Sequence, residues 1–175
     1  MSVPVARVLA VDDRRENLLA LTAILEGLPV EIVAVTSGED ALKRLLVEDY
    51  AVILLDAHMP GMDGFETAGH VKQRERTRHI PILFLTAVDY DPHLAFRGYQ
   101  AGAVDYITKP FDPWVLRSKV SVFVDLWTMH ARVADQAAES ARLRSAVDDA
   151  LRLLAADPPA VARARDRLAE VRETG

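Results

Sequence analysis

The stretch VLAVDDRREN, residues Val8 to Asn17, is the part of the sequence that decides the fold. An apolar run from Val8 to Val11 leads directly into two adjacent carboxylates, Asp12 and Asp13, and then into two arginines. Because successive side chains on a strand point to opposite faces, this acidic pair is not an ordinary solvated surface motif. A strand with the composition of a buried strand therefore ends on two neighbouring like charges, and this arrangement needs a chemical reason.

The composition indicates a globular domain with an additional segment. Of 175 residues, 50% are hydrophobic and 27% are charged, which is sufficient for a core. The sequence has no cysteine, lacks the pattern of a signal peptide and has no apolar run of the ~20 residues that a membrane span requires. We therefore expect a cytoplasmic protein.

The charge of the chain is unevenly distributed. The net charge is −5, and the segment after Trp127 is neutral, with eight basic and eight acidic residues. Neither part has the basic excess of a nucleic-acid-binding surface, so we expect no nucleic-acid partner.

Short apolar runs alternate with amphipathic segments along the first two thirds of the chain. The predicted strands are Val8–Val11, Glu31–Val35, Ala51–Leu55, Ile80–Leu85 and Ala103–Ile107. The predicted helices are Glu16–Leu25, Gly38–Glu48, Gly64–Arg74 and Asp91–Gln100, with a possible capping box from Ser37 to Asp40 and a cap at Asp63. Strands without polar alternation are typical of a sheet covered on both faces, so the sequence predicts a doubly wound α/β domain with a parallel sheet.

A fifth helix is predicted to start near Asp112, with Pro113 in its first turn, and to continue until Asp157. Its apolar positions follow a 4-3 spacing with two polar exceptions: Val122, Leu126, Met129, Val133, Gln136, Ser140, Leu143, Val147, Ala150 and Leu154. This heptad pattern predicts a dimerising coiled coil. We expect the α/β domain to cover residues 1–127, the continuous coiled-coil helix residues 128–156, and a proline break with a short amphipathic helix residues 157–175.

Two arrangements of this extension remain open. One is a parallel two-stranded coiled coil, and the other is a four-helix arrangement in which the last helix forms a hairpin. The aromatic residues Trp114, Phe123 and Trp127 are expected to seat the fifth helix on the sheet or on a partner helix.

Polar residues stand at the predicted carboxyl ends of four strands, where ligands bind in open α/β sheets. They are Asp12, Asp13, Asp56, Thr86 and Lys109. Three close carboxylates repel each other, and a hard divalent cation such as Mg²⁺ would relieve this repulsion. A metal, a lysine, a hydroxyl and one carboxylate able to attack phosphorus together suggest a phosphoryl-transfer site.

Four segments make the chain resemble the receiver domain of two-component response regulators. They are VDD at Val11–Asp13, LLDAHMPGMDG at Leu54–Gly64, LTA at Leu85–Ala87 and GAVDYITKPF at Gly102–Phe111. The resemblance covers about Val5 to Trp127 and implies a flavodoxin-like sheet in the order 2-1-3-4-5.

The resemblance also implies how the phosphoryl group would arrive and be held. Asp56 would accept it from a phosphohistidine of a sensor histidine kinase or of a histidine phosphotransfer protein. Asp13, Asp56 and the backbone carbonyl of His58 would bind Mg²⁺, and Asp12 would act mainly through water.

Further residues would bind the phosphoryl group and transmit its arrival. Lys109, followed by a cis peptide bond to Pro110, and Thr86 with Ala87 would contact the phosphoryl oxygens. Thr86 and Tyr106 would form the switch that changes the face around the fourth helix, the fifth strand and the fifth helix.

The expected function is therefore that of a phosphorylation-controlled signalling protein, which is not an enzyme beyond promoting its own phosphoryl transfer and hydrolysis. One alternative is the N-terminal part of a longer kinase, cyclase or phosphatase. A DNA-binding transcription factor is less well supported, because the segment after Trp127 is short, neutral and without a helix-turn-helix pattern. A phosphorelay intermediate that passes the phosphoryl group to another histidine is also compatible with the sequence.

Overall fold

Five parallel strands form one sheet in the order β2-β1-β3-β4-β5. The computed structural model describes residues 5–87, 96, 98, 100–156 and 162. The strands are β1 (Ala6–Val11), β2 (Val30–Val35), β3 (Val52–Asp56), β4 (Ile82–Ala87) and β5 (Asp105–Lys109). The helices delimited within the described ranges are α1 (Arg15–Leu25), α2 (Gly38–Val47), α3 (Gly64–Gln73) and α4 (Pro113–Ala156). Helix α4 is the one that the sequence analysis predicted as the fifth helix. The predicted doubly wound fold and its strand order are confirmed.

The sheet is covered by helices on both faces, which explains the continuous apolar composition of its central strands. On one face, Ala6, Val8 and Ala10 of β1 belong to a core with α1 and α4. On the other face, Leu9 and Val11 belong to a core with α2 and α3. Every residue of β3 is buried, so this strand carries the functional residue at its end into the centre of the domain.

Strands β4 and β5 begin two residues later than the sequence pattern suggested. Pro81 has no amide hydrogen and precedes β4, while Gly102 has a φ of 87° and turns the chain before β5. Both strands also end two residues later than the pattern suggested, so Thr86 and Lys109 belong to them.

Two predicted helices lie largely outside the described residues. In the predicted helix Asp91–Gln100, the described positions Phe96, Gly98 and Gln100 are helical. In the predicted segment 157–175, Ala162 is the described position, and it is helical.

Side-chain caps form at the starts of α2 and α3, where the sequence suggested them, and at the start of α4, whereas the suggested capping box of Ser37 and Asp40 lacks its reciprocal hydrogen bond. Ser37 accepts a hydrogen bond from the Asp40 amide at the start of α2. The reciprocal capping box forms at α3, where Asp63 and Glu66 each accept a hydrogen bond from the other's amide. Asp112 accepts hydrogen bonds from the amides of Trp114 and Val115 and so caps α4.

The chain divides into two compact units, Met1–His130 and Ala131–Gly175. In the first unit, Leu116, Val120 and Val124 of α4 are buried in the core, and Phe123 and Trp127 pack against it. Trp114 is 82% exposed, so it does not seat the helix on the sheet, and its expected contact with a partner helix stays a prediction. In the second unit, nearly all described side chains of α4 are exposed.

Among the helices that the structure describes, none combines the length and apolar character needed to cross a membrane.

The first residue of α3 lies directly against the end of β3. A Cβ atom added to Gly64 would lie 2.1 Å from the Asp56 carbonyl oxygen and 2.8 Å from the Ala57 Cα atom. In the same helix, a Cβ atom on Gly69 would have no heavy atom within 4 Å.

These two glycines form a matched pair of substitutions. We expect Gly64→Ala to lower the free energy of unfolding by about 1–3 kcal/mol, because backbone must move to admit the methyl group. We expect Gly69→Ala to raise it by about 0.5–1 kcal/mol, because alanine is the better helix former and meets no obstacle. Urea unfolding of both variants measures this difference, and equal effects would show that the close approach at Gly64 is not a constraint.

Candidate functional site

The predicted site residues lie at the carboxyl edge of the sheet, in the loop after β1 and at the ends of β3, β4 and β5. Asp12 follows β1, Asp56 is the last residue of β3, and Lys109 is the last residue of β5. The parallel register pairs Ala87 of β4 with Lys109 of β5, so these two residues lie side by side at this edge. The order 2-1-3-4-5 places β1 and β3 side by side, so the acids of these two strands become neighbours.

Asp12, Asp13 and Asp56 form a compact acidic cluster. Each offers one carboxylate oxygen, and these oxygens lie within 4.8 Å of one another. Asp12 is fully buried and Asp56 is 5% exposed, whereas Asp13 is exposed. The adjacent acids Asp12 and Asp13 therefore contribute one buried and one exposed carboxylate to the same cluster.

Lys109 provides a positive charge inside this cluster. Its Nζ atom lies 2.7 Å from Asp12 Oδ2 and 3.2 Å from Asp56 Oδ1. The lysine side chain is 18% exposed, so the attraction acts with reduced screening by water. One ammonium does not balance three carboxylates, and the cluster retains a negative charge.

Asp12 is held by donors from three parts of the chain. The Arg14 amide donates to Oδ1 at 2.9 Å, and Lys109 donates to Oδ2. Asn17 Nδ2 lies 3.0 Å from each of the two carboxylate oxygens. A buried carboxylate with this number of donors is held in a fixed orientation, and its polar oxygens are satisfied.

Asn17 was not among the residues selected from the sequence. An amide in the first turn of the helix that follows an acidic pair is a weak signal, because such residues are usually solvated. Its role becomes visible only when the turn of α1 places Asn17 against Asp12.

The environment raises the pKa of Asp56 above its ordinary value. Burial is the main cause, and the neighbouring charge of Asp12 acts in the same direction. Lys109 and the hydrogen bond from the His58 amide, 3.3 Å from Oδ1, act in the opposite direction without offsetting them. Ionised Asp56 is therefore held at an energetic cost that a cation would reduce.

The residues of the cluster fit a divalent metal ion. All three side chains are oxygen donors, and hard cations such as Mg²⁺ and Ca²⁺ prefer oxygen ligands. The His58 side chain is exposed, and His58 contacts the site through its backbone amide. We therefore describe the cluster as an acidic site able to hold such an ion.

The proposed switch residues Thr86 and Tyr106 are both half-buried, on neighbouring strands β4 and β5. The Tyr106 ring stacks on Phe84 with centroids 5.9 Å apart, and a Cβ atom on Gly98 would lie 1.7 Å from its hydroxyl oxygen. Tyr106 thus lies directly against the backbone at Gly98. Ala87, which follows Thr86, is exposed. The peptide bond between Lys109 and Pro110 is cis, as expected from the sequence.

Comparison with protein families supports this interpretation of the site. Residues 8–121 match the family described as the response regulator receiver domain. Response regulator PleD of Caulobacter vibrioides is 38% identical over 115 residues, which cover 66% of this chain and 25% of PleD. The chain therefore aligns with about a quarter of this relative. Protein PilH of Pseudomonas aeruginosa is 32% identical over 116 residues, covering 66% of this chain and 95% of PilH.

A solved structure shows the same arrangement of strands and helices. Chemotaxis protein CheY4 of Vibrio cholerae superposes with a TM-score of 0.64 at 30% sequence identity. The superposition covers 69% of this chain and 99% of CheY4. About two thirds of this chain thus matches nearly the whole of CheY4.

The raised pKa of Asp56 predicts a pH dependence of stability without metal. The folded protein keeps this proton to higher pH than the unfolded chain, whose pKa is near 3.8. The stability that the protonated group contributes is therefore lost as the pH rises from about 3.8 through the folded pKa. In EDTA, we expect Asp56→Asn to be more stable than the unsubstituted protein at about pH 7 and the difference to shrink on acidification.

Urea unfolding of both proteins across this range measures the effect. A difference that is absent at neutral pH, or that grows as the pH falls, would contradict the assignment.

Proposed function

The chain belongs to the response regulator receiver family, and on this basis we propose that Asp56 accepts a phosphoryl group from a phosphohistidine. The donor would be a sensor histidine kinase or a histidine phosphotransfer protein. The observation that carries the proposal is the position of Asp56, buried at the end of β3, within 4.8 Å of two other carboxylates and 3.2 Å from an ammonium. A nucleophile in this position is surrounded by the groups that phosphoryl transfer requires.

In the proposed reaction, one carboxylate oxygen of Asp56 forms a bond to phosphorus as the bond between phosphorus and the donor imidazole nitrogen breaks. The imidazole nitrogen keeps the electron pair of the broken bond and takes a proton from solvent water, so the imidazole leaves as the neutral base and Asp56 becomes an acyl phosphate. Hydrolysis by water later returns the carboxylate and inorganic phosphate. No other bond of the receiver domain changes in this cycle.

We assign Mg²⁺ binding to Asp13, Asp56 and the backbone carbonyl of His58, with Asp12 acting through water. The oxygens of Asp12 already accept hydrogen bonds from Arg14, Asn17 and Lys109, which supports an indirect role. The bound ion would supply positive charge for the phosphoryl oxygens and reduce the repulsion between the carboxylates.

Three residues would bind the transferred group at its remaining oxygens. Lys109 would move from its contact with Asp56 to a phosphoryl oxygen, because both positions lie at the same end of the sheet. The hydroxyl of Thr86 and the amide of Ala87 would donate hydrogen bonds from the end of β4. Donors held in a partly dehydrated site stabilise charge strongly.

A contact between β5 and α4 supports transmission of the signal to the long helix. Lys119 of α4 pairs with Asp105, and its Nζ atom donates to the Tyr106 carbonyl oxygen at 3.2 Å. Movement of Thr86 and Tyr106 on phosphorylation would therefore act on the helix through this lysine. We propose that the response is a change in the pairing of α4 with a second copy, which would be passed to a protein target.

The lengths of the relatives favour one alternative. The match covers 25% of PleD, and the match to the sensor histidine kinase GacS of Pseudomonas protegens covers 12% of that protein. The chain could thus correspond to the receiver and linker of a longer signalling enzyme, in which α4 would connect the receiver to the catalytic domain. Either arrangement belongs in the cytoplasm, which agrees with a sequence free of cysteine.

The acceptor role of Asp56 is tested by labelling with acetyl phosphate or a sensor kinase in the presence of Mg²⁺. We expect Asp56→Asn to abolish labelling, because an amide nitrogen or oxygen does not replace the carboxylate nucleophile. Asp49→Asn is the control, since Asp49 is exposed and pairs with Arg76 away from the cluster. Labelling of the Asp56 variant at the rate of the control would disprove the proposal.

The role of Lys109 is separated from metal binding by Lys109→Ala. We expect Mg²⁺ affinity, measured by calorimetry, to be retained, because the substitution removes a competing cation and no oxygen ligand. We expect labelling to slow by about a hundredfold, and the phosphorylation-dependent change in assembly to disappear. Lys43→Ala, in a surface pair with Asp40, serves as the control. A variant that loses Mg²⁺ binding but keeps its response would reverse the assignment.

A further inference from the structure

The second half of α4 presents an apolar face that is exposed among the residues the structure describes. Val133, Leu143 and Val147 are 63%, 63% and 57% exposed, and they occupy the 4-3 spacing of a heptad seam. We call the positions from Val133 to Val147 on this spacing the seam. An exposed apolar face of this kind on a long helix indicates a binding partner.

The centre of the seam is polar. Between Val133 and Leu143 the two seam positions are Gln136 and Ser140, and both are exposed. A polar side chain at such a position is stable when it meets a polar side chain of the partner, and it therefore selects the alignment of the two helices.

The charges beside the seam are complementary between copies. Glu139 and Arg144 flank the seam on opposite sides and are five residues apart, which is the separation of paired charges in a parallel two-stranded coiled coil. Both side chains are exposed, and within the described part of the chain neither makes a salt bridge in the monomer.

From these features we infer that residues 133–151 of α4 pair with the same residues of a second copy as a parallel, in-register coiled coil. The inference rests on the dimerising role proposed above and specifies its geometry. Gln136 and Ser140 each meet their own counterpart, and Glu139 of each copy faces Arg144 of the other.

Antiparallel pairing does not bring the polar seam positions together and opposite charges together in the same alignment. The alignment that places Gln136 opposite Ser140 also places Glu139 opposite Glu139 of the second copy. The alignment one heptad away brings Arg132 to Glu139, but it sets Ser140 against Met129 and Gln136 against Val133. The first has like charges in contact, and the second buries polar groups against apolar ones.

The absence of cysteine from the sequence makes disulfide cross-linking a direct test. In the full chain, Leu143→Cys should form a disulfide-linked dimer under mild oxidation, because parallel in-register pairing juxtaposes the two copies of this position. The matched control is Ser145→Cys, on the opposite side of the helix, which we expect to cross-link about tenfold more slowly or less.

Antiparallel pairing is tested by oxidising a mixture of Val133→Cys and Leu143→Cys chains of different mass. Antiparallel pairing would produce the mixed dimer in preference to the Leu143→Cys homodimer and would overturn the inference. Dominance of the Leu143→Cys homodimer supports it.

A charge exchange tests the register independently of cysteine. We expect Glu139→Arg or Arg144→Glu alone to weaken dimerisation about five- to tenfold, because each places like charges opposite each other. The double exchange should return the dissociation constant to within about twofold of the original. Failure of the double exchange to restore pairing contradicts the proposed contact.

These results are separable from the phosphorylation proposal. Labelling of Asp56 by acetyl phosphate does not depend on α4, so a dimer of the wrong orientation leaves that proposal intact. A chain that sediments as a monomer at all concentrations, with and without labelling, overturns both the inference and the dimerising role. Loss of labelling in a chain whose Leu143→Cys cross-link still forms overturns the phosphorylation proposal alone.

Discussion

A single ammonium group between two buried carboxylates is the interaction on which the site depends. Lys109 comes from β5, Asp12 from the end of β1 and Asp56 from the end of β3, so the contact joins both halves of the sheet at one edge. It exists because the strands are parallel and end at the same level. The same geometry adds the third carboxylate, Asp13, and leaves a negative balance that makes the edge receptive to a divalent cation.

Much of this arrangement could be predicted from the sequence, because strand ends are marked by the transition from apolar to polar residues. Asp12, Asp56 and Lys109 were selected on that basis, and the structure brings them together. The details set by side-chain orientation could not be predicted. The contact of Asn17 with Asp12 depends on the first turn of α1, and the strand limits at Pro81 and Gly102 depend on local backbone geometry that apolar composition does not encode.

The long helix combines two different periodic patterns in one element. In the first unit, Leu116, Val120 and Val124 face the sheet, and Lys119 holds the helix to β5. In the second unit, the described apolar residues Val133, Leu143 and Val147 are exposed. In the function proposed above, α4 is the element that would carry a change at the sheet edge into the association of chains.

The hydrogen bonding of Asp12 has a consequence for the freedom of Lys109. Three of the four donor contacts to this carboxylate come from Arg14 and Asn17, which belong to the start of α1. If the lysine turns to another anion, Asp12 keeps most of its partners and no buried acceptor is abandoned. Ordinary buried ion pairs are expensive to separate, whereas this one is arranged so that the cation is exchangeable and the anion is not.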